Sequence, residues 1–320
     1  MWECILPSVK ISRPIPSKLF LTPKTTPTGE FKLLKGRIVG GGHRQDATQF
    51  NDNEISSPTV SLTSVLMGAA VAAHKGQHVM ALDHKSAYLN AAMTGPDVFM
   101  LLTPDVSSLL MELRPETQPF LRPDKKIAVR LKKALYGCLQ SALLWNNELS
   151  STIESMGFHK NLYDPCSYRR VKDNIECTVL VYVDDLLMMS DTTAALHEVA
   201  AGLKSKYGGI TTTEGKSHDY LGIRLDFNKP GEVSLSMSGY VKDLMKKFPI
   251  FEPSYTPAKA DLFAIDKHSR VLGRERKDMY HSAVMTLHYL AKRVRPDILV
   301  SVSWCATRIM APTEIGRAHV

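Results

Sequence analysis

Thr178-Val179-Leu180-Val181-Tyr182-Val183-Asp184-Asp185-Leu186-Leu187-Met188-Met189-Ser190 decides how this chain is read. Two apolar, β-rich arms flank an acidic pair. Arms of this length and composition read as antiparallel strands, with the pair as the turn of the hairpin. An apolar strand that runs into a carboxylate is unusual, because desolvating a charge costs several kcal/mol unless something compensates. The same device stands upstream, where Val79-Met80-Ala81-Leu82 reads as a short buried strand ending at Asp83.

Taken alone, Asp83 fits a strand-end turn and Asp184-Asp185 an Asx turn. Taken together, acids converging from adjacent strand ends would repel unless divalent cations lay between them. Two Mg²⁺ held ~3.5–4 Å apart stabilise both the attacking and the leaving oxygen of an in-line phosphoryl transfer.

Outward from the hairpin, helical spacing recurs. Leu62, Val65, Leu66, Ala69 and Ala73 form the apolar face of a helix expected to start at Ser57-Pro58 and to close at Gly76. Trp145, Leu149, Ile153 and Met156 mark a second, stopped by Gly157. Leu196, Val199, Ala200, Leu203 and Tyr207 mark a third, after Asp191 and before Gly208. Tyr220–Phe227 and Glu232–Met237 read as two further strands. From Ser238 the pattern is helical. One face carries Val241, Leu244, Met245 and Phe248, and a second Ala283, Leu287, Leu290, Ala291 and Val294. A third carries Ile298, Val302, Cys305 and Ile309. At the other end, residues 1–56 are rich in Pro, Thr, Gly and Lys. Gly36-Arg37-Ile38-Val39 is extended, and Gly40-Gly41-Gly42 reads as the tip of a hairpin. No Gly-Lys-Ser/Thr follows, which excludes a phosphate-binding P-loop. The order β–α–ββ–α–β followed by a helical lobe predicts an α+β fold.

Hydrophobic residues at 44% and charged residues at 22% describe a globular chain, not a disordered one. The formal net charge of +8 suits a polyanionic partner without requiring one. Five cysteines, odd in number and without a C-x-x-C pair, argue against a disulfide framework or a zinc knuckle and for a reducing compartment. His74 and His78, four apart, suit a metal pair on a helix; the lack of a third ligand nearby favours a surface pair. No apolar run approaches a membrane span, and Met1–Lys10 lacks the features of a signal peptide, so a soluble intracellular protein is expected. Ile315–Val320 back-translates to ATC GGA AGA GCA CAC GTC, a string resembling a common sequencing adapter. Residues 314–320 are therefore expected to be read-through, with the natural chain continuing past Thr313.

Tyr182-Val183-Asp184-Asp185 resembles the Y-V-D-D signature of retroelement reverse transcriptases, and its context sharpens the likeness to the Ty1/copia type. Lys35-Gly36-Arg37-Ile38-Val39 with Gly42 and Gln45 resembles K-A-R-L-V-A-x-G-x-x-Q. Leu82 to Asn90 resembles the segment around D-V-K-x-A-F-L-N. Leu131 to Gly137, with Gln140 and Trp145, resembles L-x-K-A-L-Y-G-L-K-Q-A-P-R-x-W. Tyr220-Leu221-Gly222-Ile223 is similar to F-L-G-I, and Thr256-Pro257 to a later T-P element. Tyr280-His281-Ser282 through Tyr289-Leu290, then Arg295-Pro296-Asp297-Ile298, is similar to Y-R-S-x-V-G-x-L-x-Y-L…R-P-D-I. The matches run colinearly from about Lys35 to Thr313.

The resemblance implies a right-hand polymerase. Residues 1–75 would begin the fingers, 76–127 would hold the palm strand of Asp83 and an insertion, 128–237 would complete fingers and palm, and 238–313 would be a helical thumb or connection. It implies RNA-directed DNA synthesis on an RNA or DNA primer–template from dNTPs, with two Mg²⁺ or Mn²⁺ in their place. Asp83 and Asp184 would bind both metals, with Asp185 a weaker third ligand. Lys35 and Arg37 would reach the triphosphate, and His84 and Lys85 would offer it backbone N–H groups. Tyr88 would be the ring that excludes a ribose 2′-OH, Gln140 would touch the nascent base pair, and Leu221-Gly222 would hold the primer end. Ribonuclease H and integrase domains of a parent polyprotein are the implied neighbours. The implied setting is a cytoplasmic virus-like particle or the nucleus, with no membrane. Departures cluster near Gln140: Cys138 and Leu139 replace Leu-Lys, Ala142 replaces Pro and Leu144 replaces Arg. His84 replaces a β-branched residue and Gly36 an Ala. Two rivals follow: a decayed or domesticated copy that binds nucleic acid without catalysis, and an α+β binding module whose strand-end acids are structural.

Overall fold

The computed structural model describes residues 1–25, 31–249, 255–258, 261–264 and 268–314. Its chain divides into two units, Met1–Gly68 with Gln77–Thr213 and Ala69–Gly76 with Glu214–Val320. Strands and helices mix without strict βα alternation, so the architecture is α+β, as expected. Ile315–Val320, the expected read-through, lies outside the described residues.

In the first unit the acidic hairpin is the middle of the larger sheet. β9 (Ile175–Tyr182) pairs antiparallel with β10 (Asp185–Ser190), and the other edge of β10 pairs antiparallel with β4 (His78–His84). The order continues outward to β11 (Ile210–Glu214) beside β4, and to β8 (Ser167–Lys172) and β7 (His159–Lys160) beside β9. Val179, Leu180 and Val181 are all buried, as are Leu186, Leu187, Met188 and Met189. Side chains alternate faces along a strand, so continuous burial means that both faces are covered. α5 (Thr193–Tyr207) packs on β4, β9 and β10. α2 (Leu62–Lys75) approaches the sheet so closely at Gly68 that a Cβ there would stand 3.1 Å from Leu180 Cδ1 and 3.3 Å from Met189 Cε. Each such apolar side chain contributes ~1.5–3 kcal/mol on burial, which places the most stable part of the sheet under the acids.

The second sheet of this unit runs β1 (Trp2–Ile5), β6 (Ala128–Leu131), β5 (Phe99–Leu101), β2 (Ile15–Thr25), β3 (Phe31–Gly40). Its core is Ile15, Met100, Leu102, Ile127, Val129 and Leu131 with their neighbours. α1 (Asp52–Ile55), α3 (Pro104–Leu113) and α4 (Ser141–Ser155) complete the unit, α4 burying Trp145, Leu149 and Ile153.

The second unit holds an antiparallel meander, β12 (Ser217–Tyr220), β13 (Ile223–Asp226) and β14 (Ser234–Ser236). Three helices follow: α6 (Ser238–Lys247), α7 (Arg274–Ala291) and α8 (Leu299–Ala306). α7 and α8 share a core of Leu272, Tyr280, Val284, Val302 and Cys305, and the Tyr280 hydroxyl donates to the Cys305 carbonyl at 3.0 Å. No helix among the described residues is long and apolar enough to cross a membrane.

Five expectations need correction. The acidic pair is not the turn itself: Tyr182 faces Asp185, so the turn is Val183-Asp184 and Asp185 opens β10. The glycine triplet is not a hairpin tip, because it lies at the end of β3 opposite Ser17. It makes a backbone crossing instead, where the Gly40 N–H donates to the Tyr136 carbonyl at 2.8 Å and a Cβ on Gly42 would lie 1.9 Å from the Gly137 carbonyl oxygen. The helix expected from Ser57 starts at Leu62, since Val60 is still extended and donates to the Val181 carbonyl; Ser61 then caps Ser64. Tyr220–Phe227 is two strands broken at Leu221-Gly222, not one. Met245, placed on one helix face with Leu244, is half exposed where Leu244 is buried. His74 and His78 fall on different elements, the end of α2 and the start of β4, so their helical spacing has no meaning here.

Candidate active site

Register places the acids. Asp185 is the Cα partner of Asp83 across β10 and β4, and Asp184 precedes it in the turn. Two contacts pin that turn: the His84 N–H donates to the Asp184 carbonyl at 2.9 Å, and the Trp145 indole N–H donates to the Val183 carbonyl at 2.8 Å. Val183 sits at φ 57°. A β-branched side chain in the left-handed region is a genuine outlier and persists only where its surroundings over-determine it.

The acids feel one another. Burial, then the charges of Asp184 and Asp83, push the Asp185 carboxyl up to about 6. Like charges gathered on one sheet edge raise a carboxyl in this way. Among the described residues no group of three or more His, Cys, Asp or Glu side chains is arranged to hold a metal ion. The donor set nonetheless suits hard divalent cations, since it is all carboxylate oxygen and its mutual repulsion would be relieved by positive charge.

Around the acids stands a ring system. Burial holds the His84 imidazole below its ordinary range; it packs edge-on against Trp145 at 4.9 Å and Tyr207 at 5.2 Å. On another side the Tyr88 and Tyr136 rings lie 4.3 Å apart at 31°, and the Arg37 guanidinium sits 4.8 Å over the Tyr136 ring. Burial first and the Asp184 charge second raise both phenols, Tyr136 to about 12, so both stay protonated. Lys35 is on the same face of β3 as Arg37, and both are exposed.

The family description "Reverse transcriptase (RNA-dependent DNA polymerase)" matches residues 2–260. The chain belongs to that family. It is 26% identical to the Retrovirus-related Pol polyprotein from transposon RE1 of Arabidopsis thaliana, over 98% of this chain and 20% of that one. It is 25% identical to the Transposon Ty1-DR1 Gag-Pol polyprotein of Saccharomyces cerevisiae, over 88% of this chain and 16% of that one. These relatives are Pol polyproteins of the Ty1/copia type, and the chain spans about a fifth or less of their length. A solved foamy viral protease-reverse transcriptase in complex with double-stranded DNA superposes with a TM-score of 0.38 at 9% identity, over 92% of this chain and 46% of that one.

Not every residue expected at the site of this chain is open to a ligand. The N–H groups of His84 and Lys85 are already engaged, the first by Asp184 and the second by the Gly209 carbonyl at 2.9 Å. The end of β4 is flanked by β10 on one side and β11 on the other, so its donors are consumed locally. Gln140 is 3% exposed, and its Oε1 accepts from Gln45 Nε2 at 3.0 Å. It is packed inside, not open to a base pair. Leu221 and Gly222 belong to the second unit, as a tight turn with φ 50° and 77°. Tyr136, Gln45 and Trp145 received no role from sequence. Each lies inside a motif quoted for the family, but only the fold shows that Tyr136 meets Tyr88 and Arg37, and that Gln45 meets Gln140.

Proposed function

We propose that this chain is the catalytic core of an RNA-directed DNA polymerase from a Ty1/copia-like retrotransposon, joining dNTPs to a primer 3′-OH by two-metal nucleotidyl transfer. The observation that carries the reading is the register of Asp185 on Asp83 with Asp184 in the intervening turn. Asp83 and Asp184 would hold two Mg²⁺ ions, or Mn²⁺, with Asp185 a weaker ligand. Bound there, the cations supply charge stabilisation for the attacking and leaving oxygens. Lys35 and Arg37 bind the triphosphate by charge-assisted hydrogen bonds. Because the His84 and Lys85 N–H groups are taken within the fold, the phosphate contacts fall to Lys35 and Arg37. The Tyr88 ring borders the sugar and leaves no room for a 2′-OH. Leu221-Gly222 steadies the primer end. Residues 1–237 serve as fingers and palm and 238–313 as a helical thumb or connection, acting with ribonuclease H and integrase domains of a parent polyprotein in a cytoplasmic particle or the nucleus.

Primer extension on an RNA template, with Mg²⁺ and with chelator, tests this. Asp83→Ala and Asp184→Ala should each reduce extension by about a thousandfold, the scale at which lost transition-state charge stabilisation is felt, while primer–template binding persists. Undiminished extension by Asp184→Ala overturns the mechanism. A parent chain that binds duplex but extends nothing would be the nucleic-acid-binding rival instead.

A further inference from the structure

Tyr136 touches both an expected phosphate ligand and the expected sugar gate. Its ring is 4.3 Å from that of Tyr88 and 4.8 Å from the Arg37 guanidinium. The three come from three segments, β3, the turn after β4 and the turn before α4, so nothing local sets their spacing. Their backbones are tied at the same place: the Tyr136 carbonyl accepts the Gly40 N–H at the end of Arg37's strand, and Gly137 at φ 89° is so close to Gly40 that a Cβ would stand 2.1 Å from the Gly40 oxygen. Tyr136 is partly buried.

We propose that Tyr136 is a positioning and specificity-determining residue: its ring backs Tyr88 at the sugar edge and carries Arg37 at the phosphate edge. Tyr88 alone is a side chain with two free torsions, and a gate that swings cannot exclude a hydroxyl. Ring-on-ring packing holds it at one angle, because offset or tilted aromatic pairs prefer defined geometry. The guanidinium over the same ring loses its own freedom by cation–π attraction, which prepares its donors for phosphate. Sugar selection and triphosphate affinity are therefore coupled through one ring. The inference rests on the proposed reading of Tyr88 and Arg37.

The test is competitive primer extension with dNTP and rNTP by the parent chain, Tyr136→Phe, Tyr136→Leu and Tyr136→His, with KM and kcat separated and unfolding followed in parallel. Tyr136→Phe keeps the ring and should match the parent. Tyr136→Leu should raise the rNTP/dNTP ratio and the dNTP KM by up to about tenfold, the scale of a lost aromatic pair and cation–π contact, with kcat changed far less. The ratio is internal to each preparation, so the fraction folded does not move it. Should Tyr136→Leu give no product, Tyr136→His, a smaller ring, should show an intermediate ratio. In combination with Tyr88→Ala, loss of the Tyr136 ring should add nothing further to the ratio. An unchanged ratio in the Leu or His variant, in a chain that still extends, overturns the role of Tyr136. A parent chain without Mg²⁺-dependent extension overturns the polymerase reading instead.

Discussion

Two hairpins, one in each unit, each turn on two residues. Tyr182 and Asp185 close over Val183-Asp184, and Tyr220 and Ile223 close over Leu221-Gly222. In the second turn both central residues have positive φ, 50° and 77°, which is the type I′ geometry that suits strand twist, and glycine takes one of the two positions at no steric cost. In the first turn only Val183 has positive φ, and the position that would prefer glycine holds a β-branched residue. Such a residue costs on the order of 1–3 kcal/mol. The Trp145 indole and the His84 N–H hold the strained turn from either side. The first turn thus holds a β-branched residue in the left-handed region beside three carboxylates, while the second holds Leu221 and Gly222 there, one of them glycine and neither β-branched, and is the more relaxed of the two.

The relaxed turn should be the more fragile to substitution. Gly222→Val places a β-branched residue at φ 77°, with its Cβ 3.7 Å from the Tyr289 hydroxyl. Equilibrium unfolding should register a loss of about 2–3 kcal/mol. A loss below about 0.5 kcal/mol would show that the turn can re-form with another geometry and that its shape matters little.

The strained turn should behave oppositely. Val183→Gly removes the strain but admits more freedom in the unfolded chain, so stability should rise by no more than about 1 kcal/mol. Extension should slow, because Asp184 would then sit on a turn free to wander. Faster or equal extension, with unchanged metal dependence, would mean that the strain at Val183 aims nothing.

The contrast was only half legible in the sequence. Periodicity located α4, α5, β4 and the β9–β10 pair because each carries an uninterrupted apolar stripe that ends at a glycine or an acid. Leu221 broke that logic: an apolar residue between Tyr220 and Ile223 continues a strand pattern, and only the adjacent Gly222 hints at a turn. The triplet Gly40–Gly42 was misplaced for a related reason. Glycines mark close backbone approach as well as tight turns, and the approach here is to Gly137, almost a hundred residues away. Within the candidate site the residue types were readable from local segments, but hydrogen-bond occupancy was not. That the His84 and Lys85 donors are taken, and that Gln140 is covered by Gln45, depends on neighbours in space that no spacing rule reaches.

Each hairpin also rests on a buried histidine, and these give the smallest and sharpest test of the comparison. His84 stands beside the acidic turn. Burial lowers its pKa, while its backbone contacts and the charges of Asp184 and Asp83 oppose the shift. His218 on β12 is fully buried, and its Nε2 lies 3.0 Å from the Gly215 carbonyl. Burial lowers its pKa as well, the Arg224 charge adding to the shift and the Gly215 contact and the Asp219 charge opposing it. For a histidine depressed in the folded state, the unfolded chain binds the extra proton in the window below about 6.5, so stability is complete above that pH and falls as pH drops through it. Chemical unfolding at about pH 5 and at about pH 8 should therefore show His218→Leu losing less stability at the lower pH than the parent does. The raised Asp185 carboxyl, which keeps its proton in the folded chain up to about pH 6, acts in the opposite sense but equally in both chains, so it cancels from the comparison. The leucine variant can be less stable at every pH without affecting the reasoning, because the slope and not the level is the readout. A slope identical in parent and variant would mean that His218 accepts its proton without leaving the fold, and that the relaxed hairpin of the second unit tolerates a charge which its packing does not accommodate.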